Sequence, residues 1–349
     1  MVADPLAIRV MHEFKRALLA YEEAQIARMV KAWMTVDRAL AADIRTLAEE
    51  IARLRSAGEV VTEARLYRLS RYQSLVAQIQ AEIARYERHA AQIILAGEER
   101  LVQLGLSQAQ GAIRAMYQTF GVRGAFNRVP VRAVEYLVGL TADGGPLFGV
   151  LQQRALTPAA IEGLTNTLIE AVARGWNPRK TARMMQDGLA GGLQKALVIA
   201  RDQQLRAYRM ASDQQYRESG VVSGKRRVAA KDGRTCLACL AMDGELIPVG
   251  MEMYDHTQGR CTAIPVVEGL PALSWQYGPQ WFETLSAAKQ RAMMGPGRYE
   301  LWREGKFEFR DLATPTYDPV WGRGLAVTPL AQLGASQQGQ LPLAAAGAS

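Results

Sequence analysis

Three cysteines and one histidine gather most of the reactive side chains of this 349-residue chain into one stretch. Cys236 and Cys239 form a CxxC, His256 follows after sixteen intervening residues, and Cys261 after four more. Thiolate sulfur and imidazole nitrogen are the donors zinc prefers, and four of them at such spacings can close a tetrahedral structural site. The alternative is that the thiols simply pack in a small core, since free cysteine is among the most buried residue types. A catalytic zinc would keep three protein ligands and an open position, with a nearby base, and Asp243, Glu245 and Asp255 are close in sequence. A cysteine nucleophile with His256 as its base is a further option. A four-ligand set with three thiolates favours the closed, structural reading, so no catalytic residue is assigned.

The elements around this stretch follow from local signals. Arg226 to Ala230 reads as a short strand, and Asp243-Gly244 between two apolar runs is a two-residue hairpin signal. Residues 263–267 read as a closing strand. Before them, residues 193–219 carry apolar positions along an Arg-rich helix. Further back, Asn177-Pro178 and Thr157-Pro158 are helix starts. The N-terminal part holds two long amphipathic patterns, from Phe14 to Leu54 and from Leu69 to Ile93, with three- and four-residue spacings throughout. Thr62 can cap the second. They predict an antiparallel hairpin of long helices, coiled-coil-like, with Asp4-Pro5 opening the first.

The expected fold class is therefore mainly α with a small α+β module: the long N-terminal hairpin over 1–96, a helical middle over 97–192 and a compact Cys/His module with a β-hairpin over 193–312. Glycines and prolines between 97 and 150 suggest short helices joined by turns. Trp281 to Met294 reads as one helix, GPGRYELWREG as another, and KFEFRDL as strand-like. Residues 313–349 drift to Pro, Ala, Gly and Gln and read as a disordered tail.

Composition sets broad limits. Lys and Arg number 42 against 34 Asp and Glu, a net charge of +8 that favours a polyanionic neighbour without identifying one. No apolar run reaches the roughly 20 residues a membrane span needs, and the N-terminus lacks the order of a signal peptide. A CxxC and one further cysteine suit a reducing compartment such as a bacterial cytoplasm better than a disulfide framework. Between Arg201 and Arg234 there are nine Lys or Arg and four Asp or Glu. Lys225, Arg226, Arg227, Lys231 and Arg234 could bind phosphates of double-stranded DNA nonspecifically or meet an acidic partner. The plainer reading is a solvated helix face and a basic loop.

The order ARDQQLRAYRMASDQQYRESGVV, a basic turn, DGRTCLACLAMDG, then a histidine followed by RCTAIPV resembles the phage Mu F-like head-morphogenesis, or minor capsid, family. The positions that carry the resemblance are Arg201, Tyr216, Asp232, Arg234, Thr235, Cys236, Cys239, Asp243, Gly244, His256, Arg260, Cys261, Thr262 and Pro265, within roughly residues 160–310. Many relatives have a cysteine two places before the last one; here Gly259 stands there, and Thr257 replaces a proline after the histidine. The remaining Cys236, Cys239, His256 and Cys261 still number the four ligands of a structural zinc. The resemblance implies a phage or prophage minor head protein, assembled in the host cytoplasm and found inside the virion head. Its implied partners are the portal protein, other capsid components and packaged DNA, with oligomerisation on assembly. An enzyme, either a zinc-dependent hydrolase or a toxin-like domain, is the alternative, and no GxSxG, HExxH or phosphate-loop pattern supports it.

Overall fold

The computed structural model describes residues 5–130, 133, 156–232, 234–318 and 322–333. The chain divides into two compact units. The first comprises Met1–Lys15, Gly105–Pro130 and Arg209–Ser349, the second Arg16–Leu104 and Val131–Tyr208.

The second unit is helical. Its frame is the hairpin expected from the two amphipathic patterns, formed by the parts within residues 16–104 of α1 (Leu6–Ser56) and α3 (Ser70–Thr119), joined through the single turn α2 (Glu63–Leu66). Thr62 caps that turn, its side chain accepting a hydrogen bond from Arg65 N at 3.2 Å. The helices run antiparallel, since early residues of α1 meet late residues of α3. Gln25 Nε2 donates to the Ile93 carbonyl at 3.2 Å, Trp33 and Tyr86 stack edge to face at 4.8 Å, and Glu50 pairs with Arg71. Against this frame lie α4 (Leu156–Arg174), α5 (Pro178–Leu189) and the first part of α6 (Gly191–Glu218). Asn177 caps α5 with Pro178 at its first turn. Tyr72 bonds Thr165 at 2.9 Å, and Arg201 pairs with Glu22 at 2.7 Å. The α4–α5 crossing is so close that a Cβ on Gly163 would lie 2.2 Å from the Gly188 carbonyl oxygen.

The expectation of short helices beyond residue 97 is corrected: α3 continues unbroken to Thr119. Its glycines serve contacts and not turns. A Cβ on Gly97 would fall 1.8 Å from Gln25 Nε2, and one on Gly111 would press on Val10 and Phe14 at 3.3 Å. Asp4 and the Gly144-Gly145-Pro146 break lie outside the described residues.

The first unit holds the small β module. Its three-stranded antiparallel sheet has the order β2 (Leu246–Pro248), β1 (Val222–Val228), β3 (Thr262–Val267), with β1 central. One face packs on Ile8, Met11, Ile113, Tyr216 and Trp275. A second core gathers Leu240, Phe282, Phe307, Leu312 and Leu333. The run expected as the first arm of a β-hairpin is instead a short helix, α7 (Leu237–Ala241), so Asp243-Gly244 closes a helix-to-strand turn. Gly244 needs its φ of +90°, and a Cβ there would meet the Tyr277 ring.

Three further differences lie downstream. Trp281 to Met294 is split into α8 (Gly278–Glu283) and α9 (Ala287–Met294), because Ser286 caps a new start. After α10 (Pro296–Arg303), the stretch expected as strand-like contains a 3-10 turn, Phe309–Leu312. The segment expected to be a disordered tail begins with a β-hairpin, β4 (Ala313–Asp318) and β5 (Gly322–Val327), and the turn α11 (Leu330–Leu333). Its apolar residues Leu325 and Leu333 are buried, which composition averaged over a Gly- and Gln-rich end does not reveal. Residues 334–349 lie outside the description.

Candidate metal centre

The CxxC sits where a helix begins. Cys236 is the N-cap of α7, and its sulfur accepts a hydrogen bond from Cys239 N at 3.3 Å. The capping geometry therefore turns both cysteines to one side. The approach is fixed by Asp232, whose carboxylate accepts from Arg234 N at 2.9 Å and from the Thr235 hydroxyl at 3.0 Å. The exit is fixed by Asp243, which accepts from Ala229 N at 2.8 Å and pairs with Lys231. The motif residues Asp232 and Asp243 thus fix the turns that lead into and out of α7.

The other two residues come from the loop that leads into β3. His256 is one-third exposed, and its Nδ1 lies 2.7 Å from the Thr257 carbonyl. Gly259 N donates to His256 O at 2.7 Å, closing a tight turn in which Gln258 takes a φ of +61°. Cys261 follows, buried, at the edge of the sheet.

These elements bring the expected residues together. The ligand atoms of Cys236, Cys239 and His256 all lie within 4.8 Å of one another, and so do those of Cys239, Asp255 and Cys261. Cys239 is common to both groups. Sulfurs around a tetrahedral zinc stand about 3.8 Å apart, as follows from a Zn–S bond of about 2.3 Å. Cys236, Cys239 and His256 supply three donors of the kind zinc takes, and Cys261 joins Cys239 in the neighbouring group, so the donor chemistry suits such an ion while the four ligand atoms do not form one mutual cluster.

Asp255 was read from the sequence only as a possible general base, and the structure gives it a central place. Its side chain is 1% exposed. Arg209 Nη2 donates to Asp255 Oδ2 at 2.6 Å, and the same guanidinium reaches the carbonyls of Gly259 at 2.6 Å and Cys261 at 3.0 Å. Arg227 Nη1 stands 4.0 Å from Asp255 Oδ1, while its other nitrogens bind Glu245 and the Tyr254 carbonyl. Burial pushes the Asp255 carboxyl up, but the charges of Arg209 and Arg227 overcome it and hold it below the usual range. Nothing in the sequence marks Arg209 as the partner, because 46 residues separate the two.

The thiols respond to one another. A hydrogen bond from Cys239 lowers the Cys236 thiol to about 4 against the effect of burial, with His256 assisting. The same hydrogen bond, then one with Cys261 and burial, pushes Cys239 up. The bond to Cys236 raises His256 to about 9, against burial.

The basic segment meets a different fate. Lys225 is 2% exposed and pairs with Asp213 at 2.5 Å; Arg227 is equally buried. Lys231 is spent on Asp243 and the Gln276 carbonyl. Alternation along β1 points Lys225 and Arg227 inward, which corrects the expectation that all five cations offer a phosphate-binding surface. Arg234 is exposed, with Asp232 at 3.7 Å, and Arg226 is half-buried and donates to the Gly244 carbonyl.

The Cys/His module thus has a CxxC that opens a helix and a returning His-x4-Cys loop. Residues 162–264 match the family described as Phage Mu protein F like protein, and the chain carries a Mu F-like domain over that span. The match includes all four expected ligands and stops before the downstream helices that the resemblance reached. No curated protein and no solved structure matches the chain. Among the described residues, no helix is long and apolar enough to cross a membrane.

Proposed function

We propose that this chain is a phage or prophage minor head protein that associates with the portal and the inner capsid during head assembly. The observation that carries the reading is the Mu F-like match over residues 162–264, which supports a role in head morphogenesis. The work is binding and not chemistry: the long helices offer faces to partner proteins, and the Cys/His module provides a rigid element. Cys236, Cys239, His256 and Cys261 would hold a structural zinc, which would tie the start of α7 to the loop before β3. Any contact with packaged DNA falls to solvent-facing cations such as Arg234 and the half-buried Arg226, acting on phosphates and not on bases.

Co-expression with the portal protein of the same phage or prophage tests this. Co-purification in a defined complex is the expected result, and separate elution of two folded proteins at assembly concentrations opposes it. The hydrogen-bonded Cys236–His256 pair is the one feature that favours an enzyme. Alkylation of Cys236 that abolished a hydrolytic activity of the purified chain would establish that second reading instead.

A further inference from the structure

The assignment of a zinc to Cys236, Cys239, His256 and Cys261 leaves Asp255 without a role, although it is the most enclosed charged group at the centre. Resting on that metal reading, we propose that Asp255 is a positioning residue of the metal centre. It stands outside the ion, and through it Arg209 fixes the two arms that carry the ligands.

The acceptor positions of its carboxylate are already filled. Oδ2 receives Arg209 Nη2 at 2.6 Å and Cys261 N at 3.2 Å. Oδ1 receives His256 N at 2.9 Å and the Cys239 thiol at 3.5 Å. A carboxylate has about four lone-pair sites; the Cys239 bond lapses when that sulfur becomes a metal-bound thiolate, and the three N–H donors that remain still hold the carboxylate to Arg209 and the loop backbone. Three of its four partners belong to expected ligand residues, and two of those bonds are to the backbone, which sets where the side chains of His256 and Cys261 start. Groups that orient ligands in this way tune affinity without touching the metal.

Gly259 is the second half of the device. A Cβ at this position would lie 2.2 Å from Asp255 Cγ and 2.3 and 2.4 Å from its two oxygens. The carboxylate occupies the volume that any side chain at 259 would need. Gly259 has no positive φ that would demand glycine for the backbone, so the close approach of Asp255 is what its missing side chain serves. The Gly259 carbonyl also accepts from Arg209, so that a single guanidinium holds Asp255, Gly259 and Cys261 together.

Cobalt(II) titration of the full chain tests the proposal, because its absorption reports both ligand identity and affinity. For wild type, thiolate-to-cobalt charge transfer and tetrahedral ligand-field bands are expected. Asp255→Asn should keep the band positions and weaken binding by about 10–100-fold. Gly259→Ala, which displaces the carboxylate without removing it, should weaken binding in the same range and carries the test if Asp255→Asn does not fold. Shifted bands in Asp255→Asn would make the carboxylate a ligand and overturn the proposal, as would unchanged affinity in both variants. Wild type that binds no cobalt would overturn the metal reading itself.

Discussion

Replacing Arg209 with methionine removes the guanidinium that makes the shortest contact with a buried carboxylate. Arg209 supplies the 2.6 Å bond to Asp255 and the bonds to the carbonyls of Gly259 and Cys261. Methionine keeps most of the aliphatic stem, so packing changes little and the loss is electrostatic. What remains near Asp255 is Arg227 at 4.0 Å, already engaged with Glu245 and Tyr254, the His256 ring at 3.9 Å, and the backbone N–H groups of His256 and Cys261. Removing one partner of a buried pair costs about 3–5 kcal/mol, because the charge left behind has no solvent to turn to. At about 2–4 °C per kcal/mol for a unit of this size, the melting temperature should fall by about 6–20 °C. Far-UV circular dichroism with a metal chelator present reads the loss without any contribution from a bound ion. Arg234→Met, at an exposed side chain, is the control and should stay within about 0.5 kcal/mol. A melting temperature of Arg209→Met within about 2 °C of wild type would refute the claim that this guanidinium holds the loop.

Gly163→Ala should lower the urea midpoint by an amount worth about 1–3 kcal/mol, since the new methyl meets the backbone of Gly188 and the α4–α5 crossing must open. Lys225→Met, which strands the buried Asp213 carboxylate, should destabilise by about 3–5 kcal/mol while leaving the salt dependence of any DNA binding unchanged; a reduced slope would return Lys225 to the surface. Cys239→Ser should remove most zinc from the purified chain, as measured by elemental analysis, because Cys239 belongs to both ligand groups. Unaltered zinc content would place the ion elsewhere.

The long helices were legible because their apolar positions repeat every three or four residues, and the caps Thr62 and Asn177 sit at real helix starts. The same signals misled where glycine has a packing role: Gly111 read as a break, yet it lies inside α3 in close contact with Val10 and Phe14. Cys236 and Cys239 share one side because CxxC spacing and helix capping are local, and His256 joins them, while Cys261 groups with Cys239 and Asp255. Asp255 and Arg209 were opaque for the opposite reason. Their bond joins residues far apart in the chain, and a lone aspartate beside a histidine gives no hint that its carboxylate fills the space over Gly259. The basic segment failed as a surface for a similar reason, since charge counts do not say which side of a strand faces the core.

Membership of the chain in the phage head is tested by the protein content of purified heads. Heads assembled from the phage or prophage that encodes the chain, separated from free protein and analysed by quantitative mass spectrometry, should contain it in fixed stoichiometry with the portal protein. Heads that lack it, formed at normal yield when its gene is deleted, would contradict the account.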